Sequence, residues 1–180
     1  MSENKYPERK ALRLPNYDYS QNGCYFITFC VKDGKPLLGT INTVAIHRVG
    51  TGLCARPQEL ISLNKTGKCI EDSILFINKK YNGAVTVDAY CILPNHVHIL
   101  LTINNNRATD GRRDPSLREI VGSLKSYTTY AYRKESGNRI LWQERYYEHV
   151  IRNDEDYAEK YEYIINNPLK WIEKHKELLK

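Results

Sequence analysis

The segment Val85–Ile103, with the sequence VTVDAYCILPNHVHILLTI, decides the fold of this chain. Apolar and β-branched residues fill two runs, 85–93 and 96–103, and a Pro-Asn pair separates them, which predicts two strands joined by a tight connection. Side chains alternate between the faces of a strand, so His96 and His98 are expected on the same face. Two neighbouring imidazoles form half of a metal site. The alternative is that the pair occurs by chance and both rings are idle.

The residues around this segment predict further strands and helices in a definite order. We expect a strand over 23–31, a helix over 65–81, the two strands above, a helix beginning after Ser116, a strand over 146–151 and a final helix. This order is that of a ferredoxin-like βαββαβ fold of the α+β class, an antiparallel sheet with helices on one face and an additional C-terminal helix. Residues 39–63 suggest short strands or an inserted loop rather than a helix.

Two helix ends carry recognisable signals. Ser116 followed by Glu119 is a capping box, and the apolar stripe of the helix behind it consists of Leu117, Ile120, Val121, Leu124, Tyr127 or Thr128, and Ala131. Tyr127 falls near this stripe and is interpreted as a core residue. The final helix is predicted to begin at the N-cap Asn153 and to be stopped at about Asn167 by Pro168.

The length and composition predict a single soluble globular domain. A chain of 180 residues with 41% apolar and 27% charged residues is long enough for one core and short for two. We expect a flexible N-terminal arm over 1–20 and a single catalytic domain over 21–180. No apolar run approaches the ~20 residues that cross a bilayer, and residues 1–10 are charged, unlike a signal peptide. Five cysteines without a CxxC motif fit reduced thiols, so we expect a cytoplasmic protein with no membrane partner.

The charge of the chain favours a polyanionic partner. The net charge is +6, and arginines and lysines are frequent between residues 107 and 152. Such a surface attracts nucleic acids, and 14 tyrosines against three phenylalanines supply rings on which unpaired bases stack. The alternative is a basic protein with no such partner. The residues predicted to contact the DNA backbone are Arg112, Arg113, Arg118, Lys125 and Arg152.

The final helix offers a phenol and an amide oxygen to complement the two histidines. Tyr163 and Asn167 are four residues apart and therefore share a helix face, which supplies a phenol beside an amide oxygen. A divalent cation held by His96, His98 and Asn167 would leave coordination positions for a phosphate, and magnesium or manganese are the candidates. Packing alone could also account for both residues, with Tyr163 in the core and Asn167 as a helix cap.

A phenol in this position predicts nucleophilic attack on a phosphodiester. Tyr163 would form a 5′-phosphotyrosine and release a 3′-hydroxyl, and the new linkage would keep the energy needed to rejoin the strand. Lys160, one turn before Tyr163, is a candidate to help remove the phenolic proton.

Four motifs together resemble a known family. They are LPNHVH at 93–98, WQ at 142–143, EHVIRN at 148–153 and YIINNP at 163–168, and LRLPNYDY at 12–19 is similar to the opening of many members. The chain resembles the REP-associated tyrosine transposases, relatives of the single-tyrosine HUH transposases of bacterial insertion sequences. The resemblance implies a histidine pair that binds metal, a nucleophile at Tyr163 and a third ligand at Asn167. It also implies single-stranded DNA substrates with palindromes that fold into hairpins.

Other functions remain open from the sequence. The leading hypothesis is a metal-dependent endonuclease and strand transferase acting on single-stranded DNA. A second is a non-catalytic protein that binds DNA or RNA hairpins, and a third is a metallophosphoesterase that uses water as the nucleophile. The sequence also leaves open whether the chain acts as a monomer or as a homodimer.

Overall fold

A computed structural model describes residues 18–19, 21–45, 57–104 and 115–175. Among these residues, two short 3-10 turns (Lys32–Gly34 and Pro57–Leu60) accompany the main elements. These are β1 (Gly23–Cys30), β2 (Gly39–Ile41), β3 (Ile61–Leu63), α1 (Lys65–Leu75), α2 (Ile77–Lys80), β4 (Val85–Leu93), β5 (His96–Ile103), α3 (Leu117–Ser136), β6 (Tyr147–Val150) and α4 (Asp154–Lys174). Most of the predicted arm and residues 105–114 lie outside the described residues.

The main sheet has the strand order β4-β5-β1-β6, and every neighbouring pair is antiparallel. Since β1 and β4 both run antiparallel to β5, which lies between them, they are parallel to each other and form a split βαβ unit with α1. β2 and β3 pair separately as a two-stranded sheet. The predicted α+β class with an antiparallel sheet is therefore confirmed, as are the short strands expected within residues 39–63.

Helices cover both faces of the main sheet and create two cores. The larger core joins α1 and α3 to the side chains on one face of the sheet, among them Tyr25, Phe29, Val97, Ile99 and Leu101. The second core joins α4 to the other face and includes Phe26, Leu93, Leu100, Ile164, Trp171 and Ile172. The additional C-terminal helix thus packs on the face opposite the other two helices. In the described ranges, no helix has the length and apolarity to cross a bilayer.

The predicted start of α3 is confirmed, and one predicted core residue is wrong. Ser116 and Glu119 form the reciprocal bonds of a capping box, and Gly137 ends the helix with a φ of 72°. Tyr127, interpreted as core, is 60% exposed, whereas Thr128 is 1% exposed. The two residues lie about 100° apart on the helix, so only one can face the sheet. Thr128 occupies the inner position because its hydroxyl accepts a buried bond from Trp142 Nε1 at 2.9 Å.

The predicted stop of α4 at Pro168 is wrong, since the helix continues to Lys174. A proline inside a helix removes one backbone hydrogen bond and causes steric strain. Here the residues beyond the proline offset that cost by burial, because Trp171 and Ile172 are 7% and 5% exposed in the second core. Asn167 therefore lies within the helix rather than capping its end.

The helix predicted over 65–81 is also interrupted. The structure divides it at Phe76 into α1 and the single turn α2. Asn64 caps α1 by accepting a hydrogen bond from the Gly67 N–H at 3.0 Å.

Candidate functional site

The histidine pair lies on the face of β5 that α4 covers. His96 is opposite Cys30 and His98 is opposite Thr28 on β1, and the two imidazole centroids are 4.8 Å apart. This confirms that both rings lie on the same face. β5 is a central strand with partners on both sides, so hydrogen bonds to β1 and β4 fix the backbone that carries the histidines.

Each imidazole uses its Nδ1 atom for a bond within the protein. His98 Nδ1 is 2.6 Å from Thr28 Oγ1, and His96 Nδ1 is 2.6 Å from Asn95 Oδ1. Asn95 donates through Nδ2 to the carbonyl of Gly34 at 3.3 Å, which orients its Oδ1 towards His96 as an acceptor. His96 Nδ1 is therefore the protonated nitrogen, and the lone pair is on Nε2.

The Nε2 atom of His98 is buried and has no hydrogen-bond partner within the described residues. Buried polar atoms almost always find a partner, so this nitrogen is available to a further ligand. Burial lowers the pKa of His98 to about 3, with a smaller effect from the charge of His96. Burial also lowers the pKa of His96 to about 4, with a contribution from His175. Both rings are uncharged at neutral pH, which is the form that binds metals.

Tyr163 lies against this pair. Its ring centroid is 5.2 Å from that of His98 and 5.8 Å from that of Phe26, with both contacts edge-on. The side chain is 40% exposed, so it reaches the solvent as well as the histidines. The Nζ atom of Lys170 is 6.0 Å from the centre of the Tyr163 ring. α4 thus brings a phenol and a cation to the surface beside the histidine pair.

Lys170, rather than Lys160, is the cation that the structure places beside the phenol. Lys160 bonds through Nζ to Glu159 Oε1 at 2.7 Å, and that hydrogen bond raises its pKa. A lysine engaged in this way is a poor candidate for accepting the phenolic proton.

Asn167 lies one helical turn after Tyr163 and is 7% exposed. Its side chain makes no hydrogen bond to any other described residue, although a buried amide normally does. In the described part of the chain, no cluster of three or more His, Cys, Asp or Glu residues could hold a metal ion. Asn167 as the third metal ligand stays a prediction.

His175 is a neighbour of the site that the sequence did not predict. Its ring stacks on Trp171 with centroids 4.1 Å apart, its Nδ1 donates to the Trp171 carbonyl at 2.8 Å, and its charge lowers the pKa of His96. A signal for it exists in the sequence, since residues 163, 167, 171 and 175 recur at helical four-residue spacing. The predicted stop at Pro168 concealed that repeat.

The predicted DNA contacts fall in different surroundings. Arg118 is exposed in the first turn of α3, and Arg152 is exposed just before α4. Lys125 already donates to the carbonyls of Gln143 and Glu144 at 2.7 and 2.9 Å, and burial lowers its pKa. Arg112 and Arg113 lie outside the described residues. The five DNA contacts stay predictions.

Comparison with known proteins identifies the family of this chain. The family model "Transposase IS200 like" matches residues 64–167, which include both histidines, Tyr163 and Asn167. The chain therefore belongs to the family of IS200-like transposases. A REP-associated tyrosine transposase of Escherichia coli is 33% identical over 98 residues, which are 53% of each chain. The predicted resemblance to that group is confirmed.

Two further proteins are similar over most of the chain. An uncharacterized protein of Haemophilus influenzae is 31% identical over 177 residues, covering 91% of this chain and 89% of the relative. The structure of a REP-associated tyrosine transposase bound to a REP hairpin matches with a TM-score of 0.53 and 21% identity, covering 88% of this chain and 73% of that one. At that identity, the structural likeness supports the fold.

Proposed function

We propose that this chain cuts and rejoins single-stranded DNA, with Tyr163 as the nucleophile. The observation that carries the proposal is the edge-on contact between Tyr163 and His98, an imidazole whose Nε2 is buried without a partner among the described residues. A nucleophile beside a ligand-ready nitrogen is the arrangement that phosphoryl transfer at a metal requires. The membership of the IS200-like transposases supports a DNA substrate.

The residues present fit a divalent cation. His96 and His98 would offer Nε2 lone pairs, and Asn167 would offer an amide oxygen. Magnesium or manganese suits such a set, with the imidazoles favouring manganese. When bound, the cation would neutralise charge on the phosphate oxygens. Thr28 and Asn95 hold the two rings so that their Nε2 atoms remain free.

The first chemical step would be attack by the Tyr163 oxygen on the scissile phosphorus. One P–O bond forms to the phenol oxygen, and the bond to the 3′-oxygen breaks. The electron pair leaves with the 3′-oxygen, and the proton that the phenol loses is balanced, through solvent, by the proton that this oxygen gains to become a hydroxyl. The ammonium of Lys170 lies 6.0 Å from the centre of the Tyr163 ring, where it would counter negative charge that develops at the reacting phosphate.

Rejoining would reverse this step with another strand end. A 3′-hydroxyl attacks the phosphotyrosine, a phosphodiester forms and the phenol is released. No external energy source is needed, because one phosphate ester replaces another. The partner we propose is single-stranded DNA that carries hairpins, a proposal supported by the structural relative that is bound to a REP hairpin.

A labelled single-stranded hairpin substrate incubated with Mg²⁺ or Mn²⁺ tests this function. We expect a covalent protein–DNA adduct and a free 3′-hydroxyl, and we expect Tyr163→Phe to abolish the adduct while DNA binding persists. Tyr161→Phe is a matched control, because Tyr161 is 41% exposed on the same helix but packs against Tyr157 with ring centroids 6.3 Å apart.

Two other results would replace the proposal. Tight binding of the hairpin with no adduct in the unmodified protein would favour a non-catalytic hairpin-binding protein. Cleavage that survives Tyr163→Phe would indicate that water is the nucleophile.

A further inference from the structure

A cleft of about 460 Å³ lies between the second half of α3 and the segment 139–144. Arg133, Arg139 and Lys125 line it on the basic side, and Glu144 is the carboxylate among its described lining residues. Arg133 and Arg139 are exposed and form no ion pair within the described residues. Two guanidinium groups with unused donors suit phosphate, which arginine binds in a bidentate manner.

Hydrogen bonds fix the segment 139–144, which forms one wall of this cleft. Trp142 donates through Nε1 to Thr128 Oγ1 at 2.9 Å in a buried bond. Lys125 donates to the carbonyls of Gln143 and Glu144. The cleft is therefore preformed, which reduces the entropy lost when a ligand binds.

One wall of the cleft lies next to the end of the sheet that carries the histidines. The N–H of Gln143 donates to the carbonyl of Cys30 at 2.9 Å, and Cys30 is paired with His96 on the next strand. Two strand spacings, roughly 10 Å, separate the backbone at Gln143 from that at His96.

An exposed ring lies on the edge strand β6, on the same face of the sheet as the histidines. Tyr147 pairs with Thr28, which pairs with His98, so the three side chains share one face of the sheet. Tyr147 is 46% exposed, and the segment that lines the cleft directly precedes it along the chain. A DNA strand that leaves the histidine pair can pass the Tyr147 ring as it crosses the edge of the sheet towards the cleft.

An aromatic ring inside the cleft points to an unpaired strand. Tyr130 is 52% exposed, and the Nζ atom of Lys134 is 5.2 Å from its ring centre. A tyrosine ring among cations is the combination that binds single-stranded nucleic acids, since bases stack on the ring while the cations follow the backbone.

We propose that this cleft binds the single-stranded flank of the DNA as it leaves the catalytic site, with Arg133 and Arg139 on phosphates and Tyr130 against a base. The inference rests on the proposed function. It assigns a binding surface away from the histidine pair, and it implies that affinity for DNA depends on the length of the unpaired flank.

The test measures binding of a fluorescent hairpin with and without a single-stranded flank, using the full chain with Tyr163→Phe and no metal. We expect the double variant Arg133→Ala/Arg139→Ala to weaken binding of the flanked hairpin about tenfold and to reduce the salt slope by about 1.4, the value for two contacts on a single strand. Binding of the hairpin without a flank should not change. Tyr130→Ala should weaken flank binding, and Tyr130→Phe should restore it.

The double variant Lys68→Ala/Lys79→Ala is the charge-matched control, since both lysines are exposed elsewhere. Equal weakening by the two double variants, or equal weakening for both DNA probes, would overturn the assignment of the cleft to the flank. Because binding is measured without cleavage, loss of flank affinity supports the cleft even if no adduct ever forms. An adduct in the unmodified protein, together with unaltered flank binding by the arginine variant, would overturn the inference and leave the proposed function intact.

Discussion

Replacing Thr28 with valine should weaken metal binding and lower stability at the same time. The hydroxyl of Thr28 is 2.6 Å from His98 Nδ1, and the His98 side chain is 4% exposed with no partner at Nε2 among the described residues. Valine has nearly the same shape but no polar atom, so both ring nitrogens would be buried without a partner. A buried polar group left in this state costs about 1–3 kcal/mol. The ring would also be freed to rotate, and loss of such an orienting partner typically costs about 10–100-fold in metal affinity.

Calorimetric titration with Mn²⁺ and thermal unfolding in a chelator would measure the two effects separately. A loss of 1 kcal/mol lowers the Tm of a domain of this size by about 2–4 °C. Thr28→Ser keeps the hydroxyl and should retain most of the metal affinity. If Thr28→Val binds Mn²⁺ as tightly as the unmodified protein, then Thr28 does not orient His98. If neither protein binds Mn²⁺, then the metal site itself is wrong.

Two further predictions concern the side chains of Asn167 and Cys24. Asn167→Leu should lower Mn²⁺ affinity and adduct yield while leaving the Tm unchanged or raised, because this 7% exposed amide has no hydrogen bond to lose within the described residues; an unaltered Mn²⁺ titration would remove Asn167 from the ligand set. The pKa of Cys24 is raised from 9.0 to about 11, chiefly by burial and partly by the charge of Asp88. The unfolded chain therefore loses this proton first as the pH rises, so stability should fall between pH 9 and about 11, and Cys24→Ala should reduce that fall in urea titrations. A pH dependence identical in both proteins would show that Cys24 is not the group responsible.

The local pattern of the chain predicts its strands and most helix ends correctly. The apolar and β-branched runs over 85–93 and 96–103 identify β4 and β5, because each run is long and the Pro-Asn pair between them marks the connection. The capping box at Ser116 marks the start of α3, since its two bonds form within one turn and need no tertiary partner. These signals are local, so the sequence alone carries them.

The predictions that are wrong concern positions where tertiary contacts override the local sequence pattern. Pro168 is an ordinary stop signal, and burial of Trp171 and Ile172 against the sheet overrides it. Tyr127 and Thr128 are neighbours on the apolar stripe, and a bond from a distant tryptophan selects the inner one. The path of α4 past its proline also places His175 where its charge lowers the pKa of His96, an interaction between residues 79 positions apart that no local pattern contains.

The two parts of the candidate site, the histidine pair and Tyr163, differ in how much the stability of the fold depends on them. His98 is buried on a central strand, so its replacement disturbs the core as well as any ligand. Tyr163 is 40% exposed and contacts His98 and Phe26 edge-on, and phenylalanine would keep both contacts. Packing therefore accounts for a ring at position 163 but not for its hydroxyl. A phenolic oxygen beside an imidazole whose buried Nε2 has no partner among the described residues is what the proposed nucleophilic role of Tyr163 would require.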